Sequence, residues 1–176
     1  MTVLTKVSLE HADRLLASMI GELAWAARCV DDNILRVEFG DPHLMIHEPR
    51  IIPDPQSQLT RNAPMRRVVV AAGRWSLFVE DGLWRVDAAG MQASRFDMDK
   101  CRIERCLGSL SGQRLTSVKV FDGERSLSMG FDLAGELTID FNLDLKGNSQ
   151  WFVYAEDDVV LNYINKDLIL GQKTGP

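Results

Sequence analysis

The sequence predicts an α+β fold, mostly antiparallel β, made of two tandem helix-plus-β-meander repeats packed as one pseudo-twofold unit. Three observations lead there. Glu136-Leu-Thr-Ile-Asp-Phe-Asn-Leu-Asp-Leu145 alternates polar and apolar residues without a break. Successive strand side chains point to opposite faces, so Leu137, Ile139, Phe141, Leu143 and Leu145 share a buried face. Short apolar runs of this kind recur along the chain between Gly, Asp and Asn turn residues. Finally, the two halves of the chain resemble each other.

The elements follow in order. Ser8 is placed to cap a helix in which Leu9, Ala12, Leu15, Leu16, Met19 and Ile20 recur at helical spacing, and Gly21 stops it. Strands are expected over 24–30, 34–39 and 44–47, joined at Asp31-Asp32-Asn33 and Gly40-Asp41-Pro42. From Ile51 to Pro64 three prolines and no sustained period predict a long loop. Strands resume over 67–71 and 75–79, and Asp81-Gly82 turns the chain into 83–86. A second helix begins near Asp97, with Ile103, Cys106, Leu107 and Leu110 on one face, and closes at Gly112. Strands over 115–121, 126–131, 136–145, 151–155 and 159–163 complete the sheet, leaving a tail from Lys166 with little to bury.

Leu16, Met19, Gly21 and Asp31 match Leu107, Leu110, Gly112 and Asp122 at one constant offset. Leu35, Val37 and Phe39 then fall on Leu127, Met129 and Phe131 after one inserted residue. Trp75-Ser-Leu-Phe-Val-Glu-Asp and Trp151-Phe-Val-Tyr-Ala-Glu-Asp share a W-x-x-[FY]-x-E-D pattern. The repeats are therefore assigned to 1–92, with a Pro-rich insertion at 48–66, and to 93–176, within one globular unit. Two copies together cover the sheet face that one would leave bare.

Composition narrows the function. An apolar content of 45% beside 26% charged residues suits a globular protein with a sizeable core. There is no apolar run of membrane-spanning length, and the charged start at Glu10, His11, Asp13 and Arg14 argues against a signal peptide. Three cysteines without a C-x-x-C pair point to reduced thiols and a cytoplasmic protein. The net charge of −5 is unevenly spread: nine acids lie between Asp122 and Asp158, and four arginines between Arg50 and Arg67. Such an acidic half repels nucleic acid and attracts a basic protein.

Catalytic and metal chemistry find little footing. His43 and His47 fall on a strand, where four residues span roughly 13 Å, too far for two imidazoles to share one ion. Glu80-Asp81 and Glu156-Asp157-Asp158 sit at hairpin tips, where water prevents the pKa separation that acid–base pairs need. Cys101 and Cys106 point to different helix faces, and the glycines lack phosphate-loop spacing. The expectation is a non-enzyme with no cofactor and no metal.

Two features carry binding potential. Asp132, Glu136, Asp140, Asp144, Glu156 and Asp157 form a candidate partner-binding face, since a single-sign stripe steers basic partners. The long basic loop offers Arg50, Arg61 and Arg66. The stretch from Leu110-Ser-Gly-Gln-Arg-Leu-Thr-Ser-Val-Lys-Val-Phe-Asp-Gly to Trp151-Phe-Val-Tyr-Ala resembles small bacterial proteins of unclear function, some similar to the immunity proteins that accompany secreted toxins. That resemblance implies a neutraliser of a basic toxin domain and assigns no residue a role. The alternative is a small-ligand module with a pocket between the repeats and the Pro-rich loop as lid. A monomer or a structural homodimer is compatible with either.

Overall fold

Both helices of the described residues start where the sequence supplies a cap. The Ser8 hydroxyl accepts the His11 N–H, so α1 (Leu9–Ala17) begins at the next residue. Asp99 does the same for α2 (Lys100–Gly108) through Arg102 N–H. The sequence places this start near Asp97, but the Asp97 carboxylate is drawn back to Ser94 N–H at 2.7 Å and closes the preceding turn. Each helix ends on a serine, Ser18 or Ser109, whose hydroxyl donates to the carbonyl three residues earlier. Gly21 and Gly112 follow at φ +96° and +90°, backbone that side chains rarely adopt.

In this computed structural model, residues 2–30, 34–49, 67–121, 126–141, 149–155, 159–164 and 167–173 are described. Their strands are β1 (Thr2–Lys6), β2 (Ala24–Val30), β3 (Ile34–Phe39), β4 (His43–His47), β5 (Val68–Ala72), β6 (Trp75–Val79) and β7 (Leu83–Ala88). After these come β8 (Met91–Ser94), β9 (Leu115–Phe121), β10 (Ser126–Phe131), β11 (Glu136–Asp140), β12 (Ser149–Ala155), β13 (Val159–Ile164) and β14 (Asp167–Lys173). A seven-stranded sheet runs β1-β14-β13-β12-β6-β3-β2, a five-stranded sheet runs β8-β7-β11-β10-β9, and β4 with β5 forms a separate ribbon. The chain is α+β with antiparallel sheets.

Three strands lie where the sequence shows no strand: β1, β8 and β14. The tail expected to bury little supplies β14, which pairs with both β1 and β13. Strand β11 ends at Asp140, and residues 142–148 of the expected longer strand lie outside the described residues.

Among the described strands, the chain passes between the seven-stranded and five-stranded sheets twice. After β6 the chain crosses so that β7 pairs with β11, and after β11 it crosses so that β12 pairs with β6. Both sheets therefore draw on both halves of the chain. The Trp75 and Trp151 segments are direct antiparallel neighbours, Trp75 opposite Ala155 and Trp151 opposite Val79. Their shared pattern lies on adjoining strands of one sheet.

The apolar faces of both sheets and both helices merge into one core that includes Leu16, Met19, Phe39, Leu77, Trp84, Leu107, Leu127, Leu137 and Trp151. Helix α1 packs on β9, while α2 packs on β2, β7 and β8. Asp13 of α1 also accepts the Val120 N–H on the edge of β9 at 3.2 Å, covering a donor a bare sheet edge would leave open. Where the sheets meet, the hydrogen bonds are reciprocal. Gly21 N–H donates to Leu115 O and Gly112 N–H to Ala24 O, both at 2.8 Å. Ala24 N–H donates to Gln113 O at 2.8 Å and Leu115 N–H to Glu22 O at 2.9 Å. Leu23 and Arg114 form an antiparallel bridge between these bonds, and Phe39 stacks on Phe131 at 6.4 Å.

Candidate functional site

The β4–β5 ribbon alternates as its sequence dictates. His43, Met45, His47, Val70 and Ala72 line a cavity of about 500 Å³ beside the seven-stranded sheet, and Leu44, Ile46 and Val69 take the other face; Met45 and His47 are themselves exposed at the cavity rim. The opposite wall comes from the outer face of adjacent strands β3, β6, β12 and β13: Arg36, Ser76, Phe78, Tyr154 and Val160, with Gly73 and Ala155.

The register sets this wall in two rows. Arg36, Phe78 and Phe152 lie side by side across β3, β6 and β12, and Glu38, Ser76 and Tyr154 form the next row. Phe78 stacks on Phe152 at 5.0 Å, and Tyr154 meets both rings edge-on at 5.8 and 5.1 Å. The Arg36 guanidinium lies 5.0 Å from the centre of the Phe78 ring.

Glu38 is only 1% exposed, and its carboxylate is fully engaged. Oε1 accepts from Arg36 Nε, and Oε2 accepts from Gly73 N–H at 2.8 Å and from the Ser76 hydroxyl at 2.5 Å. A buried carboxylate persists only when paired in this way. Gly73 is required sterically: an added Cβ would collide with the Phe39 carbonyl oxygen. Among the described residues, Arg36 Nε is the guanidinium nitrogen for which the structure shows a protein acceptor.

Burial raises the Tyr154 hydroxyl above its usual pKa, with the nearby Glu80 charge adding to the effect. Glu80 is itself raised, first by partial burial and then by Asp81. Burial likewise raises the thiols of Cys29 and Cys106, an environment opposite to that of a reactive cysteine.

The residues singled out from the sequence are partly dispersed. Glu136 and Asp140 share the outer face of β11 and are exposed, with Asp87 directly opposite Glu136 on β7. Arg85 stands opposite Thr138 between them, and Lys119 lies two strands away, so the face carries both signs. Asp132 closes the turn after β10, accepting Arg114 N–H at 2.8 Å. Asp144, Glu156, Asp157, Arg50, Arg61 and Arg66 lie outside the described residues. His43 and His47 do occupy one strand face, and no group of three metal-ligating side chains occurs among the described residues.

Arg36, Glu38, Phe78 and Tyr154 were not distinguishable as site residues by alternation, which marks Arg36 and Glu38 as an ordinary wet strand face. A signal was present elsewhere. Trp75-Ser-Leu-Phe-Val and Trp151-Phe-Val-Tyr carry aromatic residues on both faces, as strands covered on both sides do. Among the described residues, no helix is long and apolar enough to cross a membrane. No protein-family model, curated protein or solved structure matches the chain.

Proposed function

We propose that the chain is a non-enzymatic binding protein whose ligand site is the cavity between the β4–β5 ribbon and the seven-stranded sheet. The carrying observation comes from comparing the two sheets, read as a pseudo-twofold pair of helix-plus-meander units. Reciprocal hydrogen bonds about Leu23 and Arg114, the Phe39–Phe131 stack and the matching helix caps support that pairing. The offset that carries Phe39 onto Phe131 carries Arg36 and Glu38 onto Ser128 and Gly130.

The register extends the comparison. Arg36–Phe78–Phe152 corresponds to Ser128–Thr138–Arg85, and Glu38–Ser76–Tyr154 to Gly130–Glu136–Asp87. The aromatic floor and buried ion pair thus occur on the sheet that the ribbon faces and not on its counterpart. In the counterpart, Asp132 to Gly135 make a tight turn where the first unit inserts the ribbon. The unit folds without this equipment, so a binding role accounts for its presence. The cavity's volume also falls within the range of small-molecule sites.

Thermal stabilisation across a metabolite set tests the reading. Val70→Trp, which fills the cavity from the ribbon, is expected to abolish any stabilisation the native protein shows. Equal stabilisation of the two proteins would place the ligand elsewhere.

A second reading rests on the exposed acids Glu136 and Asp140 with Asp87 beside them. This face would bind a basic protein, such as the toxin domain implied by a resemblance to immunity proteins, in the cytoplasm. A partner captured at low salt should be lost at about 0.5 M, where screening falls well below 10 Å. Reversing Glu136 and Asp140 to Lys should prevent its capture, and retention would remove this face as the site.

A further inference from the structure

We infer that the cavity takes an organic carboxylate with an apolar or aromatic body, an inference that rests on the cavity reading above. Among the described residues, the charged and titratable groups lining the cavity are Arg36, His43, His47 and Tyr154, with Glu38 behind Arg36 and Glu80 near Tyr154. The Glu38 oxygens are already occupied by Arg36, Gly73 and Ser76. Among the described residues, what faces a ligand is the Arg36 guanidinium, which can only donate, beside imidazoles and a phenol hydroxyl that can donate as well as accept. A ligand answering donors with donors would leave both sides unsatisfied in a partly dry site.

Among anions, the geometry selects a carboxylate. The guanidinium is held by Glu38 on its Nε side and rests on the Phe78 ring, so it is fixed in plane before any ligand arrives. A planar carboxylate can meet such a fork through two parallel hydrogen bonds. Beside the Arg36–Glu38 pair a carboxylate adds one negative charge and a phosphate dianion two, so the carboxylate leaves the smaller excess. The body of the ligand is set by Met45, Val70, Phe78 and Val160, apolar side chains from both walls. A small inorganic anion would leave that lining in contact with water, so the apolar part contributes to binding as well as the acid.

Three acids, 4-phenylbutyrate, indole-3-propionate and decanoate, each beside its neutral primary amide, provide the test by calorimetry on the full chain. At least one acid is expected to bind tenfold or more tightly than its amide. Arg36→Lys, which keeps the charge and loses the fork, should reduce that preference to a few-fold. Because this variant can weaken the Glu38 network, His43→Gln serves as the second probe and should lower acid affinity without moving amide affinity. Acid and amide binding equally, with both blocked by Val70→Trp, would overturn the carboxylate assignment and leave the cavity reading standing. Acid binding untouched by Val70→Trp would overturn both. No binding of any acid at millimolar concentration would overturn the assignment.

Discussion

The chemistry at Tyr154 and Glu80 is open to direct titration. The chain has two tyrosines, Tyr154 and Tyr163, so phenolate absorbance resolves few groups. Tyr154 should ionise above the usual phenol range, and Glu80→Gln should shift it back down by removing the negative charge that opposes ionisation. The same substitution has a consequence for stability. Glu80 is raised, so folding favours its protonated form, and its contribution is full below the usual carboxylate pKa and lost as pH rises through the folded value. Glu80→Gln should therefore raise the melting temperature at pH 7 and leave it unchanged near pH 3. A stabilisation independent of pH would show that another effect dominates. At this scale the sequence was least legible. Ile-Leu-Arg-Val-Glu-Phe in β3 reads as a half-wet strand, because alternation records which face a residue takes and not what covers that face.

At the scale of elements, capping chemistry made the start of α1 readable, though the helix ends at Ala17 and not beside Gly21, while the start of α2 was misplaced by three because Asp97 and Asp99 are both good caps. Only tertiary structure separates them, through the Ser94 N–H that captures Asp97. Ser8→Ala and Asp99→Ala should each cost about 1 kcal/mol in chemical denaturation. Asp97→Ala should instead loosen the turn after β8 without shortening α2, a difference visible in amide exchange of Arg102 and Ile103. Protection of those two amides falling as far in Asp97→Ala as in Asp99→Ala would reject the assignment of roles. Of the unanticipated strands, β1 finds its partner β14 at the opposite end of the chain, and a strand made by distant pairing leaves only weak local pattern. By contrast, β8 pairs with its chain neighbour β7, and β14 pairs with its chain neighbour β13 as well as with β1.

For the whole molecule, the two sheet changes bind the halves together. The β7–β8 hairpin completes the sheet of β9, β10 and β11, and β12 to β14 lie beyond β6 in the other. Each sheet takes strands from both halves, so residues 1–92 and 93–176 are expected to unfold together. Calorimetry should show one transition with matching calorimetric and van't Hoff enthalpies. Two separated transitions would mean that the crossings couple the halves weakly. Pairings as distant as Thr2 with Lys173 also place folding toward the slow, millisecond-to-second end for single domains. The antiparallel α+β class was legible because helix period and hairpin turns are local to the sequence. The crossings were not, since a strand's sequence states its inner face and leaves its neighbour open.

The pairing of β1 with β14 has a mechanical consequence. The strands run antiparallel, with Thr2 opposite Lys173 and Lys6 opposite Ile169. A tether at each of Thr2 and Lys173 therefore pulls from the same end of one ladder. The load falls on a single rung at a time, as in opening a zipper, instead of being shared in shear along the strands. Stretched between those points, the chain should begin to yield at low force, whatever its resistance to heat or denaturant.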